Sequence, residues 1–525
     1  MKPIVERLGG VTRIPESVTE KHLTLVLVIF TVSLAFLSFC SGLYFSLSSI
    51  IELRGIEYAV VSTIQKYLSS GTPIYSYPSE LPYQISQYSP IYYLVVILFA
   101  KILGISGEDY LSVFRLSRFL SVGCSVIPYG LLFSLLKHHL KVRWSYSIIA
   151  SSFLFVSLAP WVFLARSDSL FLLVEILSVY FLLCGIQDSG LNREIFFVAS
   201  ILSSFFSIFV KQSGIQTLAI VLICFLFQKE FRRLLGYGAL LTVLCLISLL
   251  TGKVLENVVG NYILENIVDG VNNGIDILNF VRKTLVDFIL PFSFVFPCSI
   301  YLTFKWFYIP FKRPEKVLII FIYGYFLFAS LFGLKYGSAE NYYLEFLIFS
   351  VVAITFYLNR ILNKKIADNY EDESGQLEAK IDLRVAKLMG LWLLTLLITI
   401  TPFIFVKNAP VKKNFLASEG QLAVVQFLRD KVVDSDALII TEDPYIIVSI
   451  PSHVIANQPV LVELAYLRNQ VDFQELYDAV ASTRSVYFAD VGVPDSIYGI
   501  NLEDDFLSLK EIDEYQVLVN KKSVQ

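Results

Sequence analysis

The chain has 525 residues, a net charge of −3 and a mean hydropathy of +0.65; 55% of its residues are hydrophobic and only 17% are charged. Soluble domains carry about a quarter charged residues, so most of this chain is solvated by lipid, and its charge gives no reason to expect nucleic-acid binding. All six cysteines lie in apolar runs, leaving no framework of loop disulfides, and the four histidines offer no His-rich metal site.

In chain order, Lys2, Arg7, Arg13 and Lys21 precede an apolar run at 23–44 that is too long for a signal-peptide core and reads as an uncleaved anchor. Further runs of spanning character fall at 110–136, 144–164, 169–186, 195–210, 213–228, 234–251, 284–303, 317–334, 342–358 and 387–406. The run 90–104 is short and carries Lys101. If it crossed, the clusters Lys137/Lys141/Arg143, Lys229/Arg232/Arg233, Lys305/Lys312/Arg313/Lys316 and Arg360/Lys364/Lys365/Lys380/Arg384/Lys387 would lie outside. The positive-inside rule therefore makes it an interfacial helix and gives eleven spans, with the N-terminus cytoplasmic and the C-terminus outside.

The predicted fold is mainly α: a polytopic helical bundle with interfacial helices and a small extracytoplasmic α/β domain. Residues 1–406 form the membrane module, with a first outer loop at 45–109, and 407–525 form the outer domain. In that loop a helix is expected at 56–69, its apolar positions Tyr58, Val61, Ile64, Tyr67 and Leu68 lying on the membrane. Tyr75, Tyr77, Tyr83, Tyr88, Tyr92 and Tyr93 follow as an interfacial aromatic belt. In the tail, helices are expected at 419–432 and 473–481, and strands at 437–441, 445–450, 485–491 and 515–519.

Charged residues then recur at the predicted outer ends. Glu57 opens the loop helix in Ile51-Glu-Leu-Arg-Gly-Ile-Glu-Tyr-Ala-Val60, and Asp168 heads a span in Ala165-Arg-Ser-Asp-Ser-Leu170. Alone, the first reads as a solvated acid and the pair Arg166/Asp168 as an interfacial anchor. Glu175, two helical turns below Asp168, changes the balance, because an acid that deep must be paired or line a wet cavity. Arg115 and Arg118 are the expected partners. Lys211 and the turn Lys335-Tyr-Gly-Ser-Ala-Glu-Asn-Tyr-Tyr-Leu-Glu345 bring further cations, Glu340, Asn341 and Tyr342 to the same surface. One carboxylate as general base, cations for a phosphate leaving group and an aromatic platform are what sugar transfer from a polyprenyl-phosphate carrier requires.

The ordered stretches Gly55-Ile-Glu-Tyr-Ala59, Leu68-Ser-Ser-Gly-Thr-Pro-Ile-Tyr75, Tyr88-Ser-Pro-Ile-Tyr-Tyr93, Arg115-Leu-Ser-Arg118, Ala165-Arg-Ser-Asp168, Gly337-Ser-Ala-Glu-Asn-Tyr-Tyr-Leu-Glu345 and Thr441-Glu-Asp-Pro444 together resemble the GT-C glycosyltransferase superfamily. That group includes the protein O-mannosyltransferases and the lipid A aminoarabinose transferases. The likeness spans nearly the whole chain through short, degenerate motifs. It implies an inverting transferase in the plasma (inner) membrane, with a polyprenyl-phosphate sugar as donor and a glycan, lipid or protein as acceptor. Glu57 stands where the family's base is most often Asp, with Glu52 the next candidate, and Asp168 matches the second acid. Arg166, Lys211, Lys335 and Arg118 are the expected phosphate ligands, while Tyr88, Tyr92, Glu340, Asn341 and Tyr342 shape the sugar or lipid pocket. Some relatives use a divalent metal, though no outer ligand cluster here demands one. The competing readings are a lipid or polysaccharide transporter or flippase, disfavoured by the absence of an inverted repeat, and a non-catalytic envelope scaffold.

Overall fold

The computed structural model describes residues 18–47, 57–269, 274–290, 292–311, 313–335, 340–364, 418–432, 436–468 and 470–524. Among these, seven helices are long and apolar enough to cross a membrane: Thr24–Leu47, Tyr110–His139, Asp168–Gln187, Gly190–Val210, Phe231–Val254, Pro314–Gly333 and Asn341–Ile361. The predicted span 387–406 and the domain boundary at 406/407 lie outside the described residues.

The bundle is built from α1 (Val18–Leu47), α4 (Tyr110–Ser134), α5 (Trp144–Val162), α6 (Asp168–Gln187), α7 (Gly190–Val210), α8 (Ile215–Phe227), α9 (Phe231–Val254), α12 (Val295–Lys305), α13 (Pro314–Gly333) and α14 (Leu344–Lys364). Between α1 and α4 lie α2 (Glu57–Ser70) and α3 (Pro90–Leu103); between α9 and α12 lie α10 (Glu256–Val259) and α11 (Ile277–Val281). Small residues let α6 and α7 approach closely, and Ser178 Oγ donates to the Ser200 carbonyl at 3.0 Å across that seam. In α9 only Tyr237 is buried, which leaves almost the whole helix surface to lipid.

The predicted span 284–303 is two pieces. A π-helical segment, Arg282–Ile289, continues α11, and α12 starts afresh at Val295. Apolarity runs through both pieces, but Pro291 between them removes a backbone donor and disfavours a continuous helix. The short helix α3 buries Tyr92, Tyr93, Val96 and Ile97 on one side and exposes Leu98, Phe99, Ile102 and Leu103 on the other, as a helix lying along a membrane surface does.

The C-terminal unit carries a mixed sheet of β1 (Leu438–Ile440), β2 (Val486–Val491), β5 (Phe506–Ile512) and β6 (Tyr515–Asn520), ordered β1-β2-β6-β5, beside a short hairpin of β3 (Ser496–Ile497) and β4 (Ile500–Asn501). Among the described strands of this sheet, β1 and β2 pair in parallel and the other neighbours antiparallel. Helices α15 (Glu419–Val432), α16 (Pro444–Ser449), α17 (Pro459–Leu467) and α18 (Gln474–Ala481) cover it. The stretch 445–450, expected as a strand from its Ile-Ile-Val content, is the helix α16. Asp443 accepts from the Tyr445 and Ile446 N–H groups at 2.8 and 3.1 Å, and Pro444 occupies the first turn, so capping overrides β-propensity.

The α2 apolar face does not lie on the membrane. Every residue from Glu57 to Lys66 is buried, and Ala59, Val61 and Ile64 share one core with Val424, Leu428, Ile446 and Ile447 of the C-terminal unit. The tyrosine belt is corrected likewise: Tyr75, Tyr83, Tyr88, Tyr92 and Tyr93 are buried, and Tyr77 alone of the six is exposed. Tyr83 and Ile85 reach the opposite face of the sheet and join Leu438, Ile440 and Phe488. Gln65 Nε2 bonds the Gly107 and Val448 carbonyls at 2.9 and 3.0 Å, and Asn457 Nδ2 bonds Thr63 Oγ1 at 3.0 Å. Lys66 Nζ bonds the Val454 carbonyl at 3.0 Å, and its burial pushes the amine down to about 7. Beyond Tyr75, the chain is pinned to α10 by Ile74 N–H to Val258 O (2.9 Å) and Tyr75 N–H to Val259 O (2.8 Å). Gly260 follows at φ +85°, where any side chain would strike the Tyr75 carbonyl.

Candidate active site at the domain end of the bundle

The start of α2, the α5–α6 turn, the end of α7 and the start of α14 converge at the end of the bundle that carries the C-terminal unit, as alternating spans require. Glu57 sits in the first turn of α2 and is fully buried. Arg118, from α4, grips it with a two-pronged fork, Nε to Oε1 at 2.7 Å and Nη2 to Oε2 at 2.6 Å. The Ala165 N–H donates to Oε1 at 2.8 Å. The Phe45 and Phe114 rings lie 4.0 and 5.0 Å from the guanidinium. Arg118, expected to bind phosphate, is thus committed to Glu57, and both carboxylate oxygens are occupied.

Because Glu57 fastens the Ala165 amide, it also sets the Ala165–Asp168 turn, and the two sequence-predicted acids lie on one connected network. Asp168 opens α6 and is almost completely buried. Lys211, just past α7, donates from Nζ to Asp168 Oδ1 at 2.7 Å, and Asn341 Nδ2 reaches the same oxygen at 3.3 Å. Asp168 Oδ2 has no hydrogen-bond partner among the described residues. Buried carboxylate oxygens are normally paired, so an empty acceptor here is a place for a ligand to donate. The Tyr342 and Phe171 rings lie 5.4 and 5.5 Å from Lys211 Nζ. Burial works against the Lys211 charge, but Asp168, Tyr88 and Tyr342 outweigh it and hold the ammonium above the ordinary lysine range.

Tyr88 completes this group. Burial pushes its phenol up to about 12, with Arg166 and Lys211 pulling the other way and Asp168 adding to the rise. Arg166 is buried with its guanidinium 6.0 Å from the Trp161 ring. The structure therefore gathers Asp168, Lys211, Arg166, Tyr88, Asn341 and Tyr342.

Two expected residues fall elsewhere, and a third is not placed. Tyr92 points into the α3–α4 seam, where its hydroxyl meets Ser121 Oγ at 3.0 Å and the Ser117 carbonyl at 3.1 Å. Lys335 sits in an isolated bridge with Ile275, and burial lowers its amine to about 8; no described contact joins it to Asp168. Glu340 begins the turn Glu340–Tyr343, but its side chain lies outside the described residues. Asp443 of the Thr441-Glu-Asp-Pro444 motif is a capping acid held by Gln421 Nε2 (2.8 Å) and the Tyr515 hydroxyl (2.6 Å).

The expected partners of Glu175 are also corrected. Arg118 serves Glu57, and Arg115 Nε donates to the Leu47 carbonyl at 3.0 Å. Glu175 instead accepts from Thr217 and, at 3.5 Å, from Gln216 Nε2, both on α8, and Tyr325 on α13 meets Thr217 at 3.1 Å. Thr217, Gln216 and Tyr325 were missed as neighbours. The one signal was the depth of Glu175 itself.

The same arrangement of helices occurs in solved structures. Over 95% of this chain and 98% of theirs, it matches ArnT from Cupriavidus metallidurans at 12% identity: TM-score 0.58 for the crystal structure bound to undecaprenyl phosphate and 0.59 for the apo state. No protein-family model matches the sequence, and no curated protein sequence matches it. The fold expected from the resemblance to GT-C membrane glycosyltransferases is the fold observed.

Proposed function

We propose that the protein is a glycosyltransferase that moves a sugar from a polyprenyl-phosphate carrier to an acceptor at the extracytoplasmic face of the membrane, with inversion at the sugar carbon. The observation that carries this reading is the Asp168–Lys211 group, set at the domain end of a bundle whose fold is that of ArnT. Lys211 and Arg166 supply positive charge for the phosphate, where a preorganised cation is worth most as the C–O bond breaks. Tyr88 and Tyr342 line the same space and offer hydroxyl donors and ring faces to a sugar.

Asp168 is the acid open to a ligand as it stands, because its Oδ2 lacks a partner among the described residues. Glu57, the base implied by the family resemblance, can accept a proton only if Arg118 turns away from it, for instance onto the donor phosphate. Without that movement Glu57 acts by fixing the turn that carries Arg166 and Asp168. The C-terminal unit and first loop, packed as one body, would present the acceptor.

The test is a reconstituted assay with radiolabelled polyprenyl-phosphate sugars. The expected result is labelled acceptor together with released polyprenyl phosphate. Movement of label across the bilayer without cleavage supports the flippase instead, and neither turnover nor movement leaves the scaffold reading.

A further inference from the structure

At the end of the bundle away from the C-terminal unit, α7, α8 and α9 meet in a knot of charge that sugar transfer does not use. Arg193 there stands about 27 Å from Lys211, counting 1.5 Å per residue along α7. Arg233 of α9 forks onto Glu194 of α7, Nη2 to Oε1 at 2.6 Å and Nε to Oε2 at 3.2 Å, and its Nη1 reaches Glu230 Oε2 at 2.7 Å. Arg193 Nη2 donates to the other Glu230 oxygen at 3.1 Å. Both guanidiniums lie beside the Phe197 ring, at 5.2 and 5.3 Å. That ring meets Phe225 at 5.0 Å, and Phe225 meets Tyr237 of α9 at 5.0 Å.

Donors outnumber acceptors in this knot. The four carboxylate oxygens are taken by the two arginines, while Arg193 Nε, Gln228 Nε2 and the Tyr237 hydroxyl are enclosed with no hydrogen-bond partner among the described residues. Gln228 sits in the α8–α9 turn, which the Glu230 N–H closes onto the Phe225 carbonyl at 3.1 Å; it is 5% exposed, and Tyr237 6%. Buried polar groups are normally paired, so open donors gathered here mark a place for an acceptor. Lys229 and Arg232 stand exposed in the same stretch, which leaves four cations beside two carboxylates. An oxyanion with several acceptor oxygens answers both the donors and the charge. Phe227, Phe231 and Leu235 flank the turn as exposed apolar side chains, a surface that hydrocarbon chains cover and a free inorganic anion does not.

We propose that this knot binds the phosphate diester of an anionic membrane lipid. Arg193, Gln228 and Tyr237 donate to its oxygens, and its chains lie along Phe227, Phe231 and Leu235. Tyr237 is the buried side chain of α9, so the headgroup ties a helix otherwise surrounded by lipid to α7 and to the α8–α9 turn. On the positive-inside reading the site opens to the cytoplasmic leaflet, where anionic lipids concentrate. It stands apart from the Asp168–Lys211 group and holds whether or not the protein transfers a sugar.

Thermal unfolding of the full chain in maltoside detergent, titrated with short-chain phosphatidylglycerol, phosphatidylcholine or inorganic phosphate, gives an apparent Kd for each and tests this. Gln228→Leu/Tyr237→Phe removes two of the open donors and leaves all four ion-pairing residues in place. Tyr237→Phe alone keeps the ring against Phe225 and is the variant to read if the double one fails to fold. The wild type should bind phosphatidylglycerol about tenfold or more tighter than the double variant, the factor expected for a lost hydrogen bond to a charged group, with Tyr237→Phe in between. Phosphatidylcholine, whose choline meets the surplus of cations, should bind the wild type more weakly. Inorganic phosphate should bind at least about tenfold more weakly than phosphatidylglycerol, because it has no chains to bury. Equal affinity of the wild type and both variants for phosphatidylglycerol overturns the inference. So does phosphatidylcholine or inorganic phosphate binding the wild type as tightly as phosphatidylglycerol.

Discussion

Two ion pairs lie on one network at the domain end of the bundle, and they differ in what they leave over. In Glu57–Arg118 both carboxylate oxygens are spent on a planar fork and a backbone amide, between two aromatic rings. In Asp168–Lys211 a point charge touches a single oxygen, and the other has no partner among the described residues. A closed pair has nothing to offer a substrate and everything to lose if one member goes; an open pair is the reverse. Burial and opposite charge alone do not separate the two cases. Counting the remaining acceptor atoms does.

The widest gap between the pairs should appear in catalysis. Asp168→Asn keeps the shape but removes the charge, and sugar transfer should fall by about 10²–10³-fold, measured below the lowered melting temperature that a buried Lys211 without its counter-charge brings. If activity survives, Asp168 is not the open acid. Next in size is stability: Arg118→Leu strands a buried carboxylate and should cost about 3–5 kcal/mol, while Glu57→Leu/Arg118→Leu should recover most of that loss. Thermal unfolding of the single and double variants reads the coupling.

Glu57→Gln separates two roles for Glu57, because its amide oxygen can still accept from the Ala165 N–H. If Glu57 only fixes the 165–168 turn, transfer persists; if it is the base, the folded variant is inactive. The substitution should cost about 1–3 kcal/mol by misfitting one prong of the fork.

The smallest effect concerns Lys66. Its folded value near 7 lies below the ordinary lysine value, so the unfolded chain holds a proton that the folded chain lacks across the interval between them. Stability should therefore rise with pH from about 7 to about 10.5 and carry the full burial penalty below that window. Lys66→Met should flatten the slope and raise the melting temperature at pH 7, by an amount equivalent to about 2 kcal/mol after the loss of the Val454 bond.

The residues that meet at Asp168 were legible because they occupy successive helix ends: once the positive-inside rule ordered the spans, Asp168, Lys211 and Asn341 had to share a side. Their pairing was not legible. Nothing in the spacing says that Arg118 turns to α2 rather than to Glu175, since both choices place a cation beside an acid. Glu175 was visible as a deep acid, but its partners Thr217 and Gln216 depend on how α8 is rotated against α6. The segment 284–303 misled because hydropathy averages over a break that Pro291 marks, and 445–450 because Asp443 and Pro444 outweigh four β-branched residues.

The hydrogen bonds from Gln65 and Lys66 into the C-terminal unit, and from Asn457 back to Thr63, carry a consequence for how the protein can be divided. Tyr58, Ala59, Val60, Val61 and Ile64 of α2 share one core with Leu428, Ile446 and Ile447 as well as with Val113, Phe114 and Ala165 of the bundle, so α2 is seated between the two. Excising the tail would unmoor the helix that bears Glu57, and the Ala165 amide would lose its anchor in turn. The tail is a keystone rather than an appendage: a shortened chain would forfeit the chemistry even with every side chain around Asp168 still encoded.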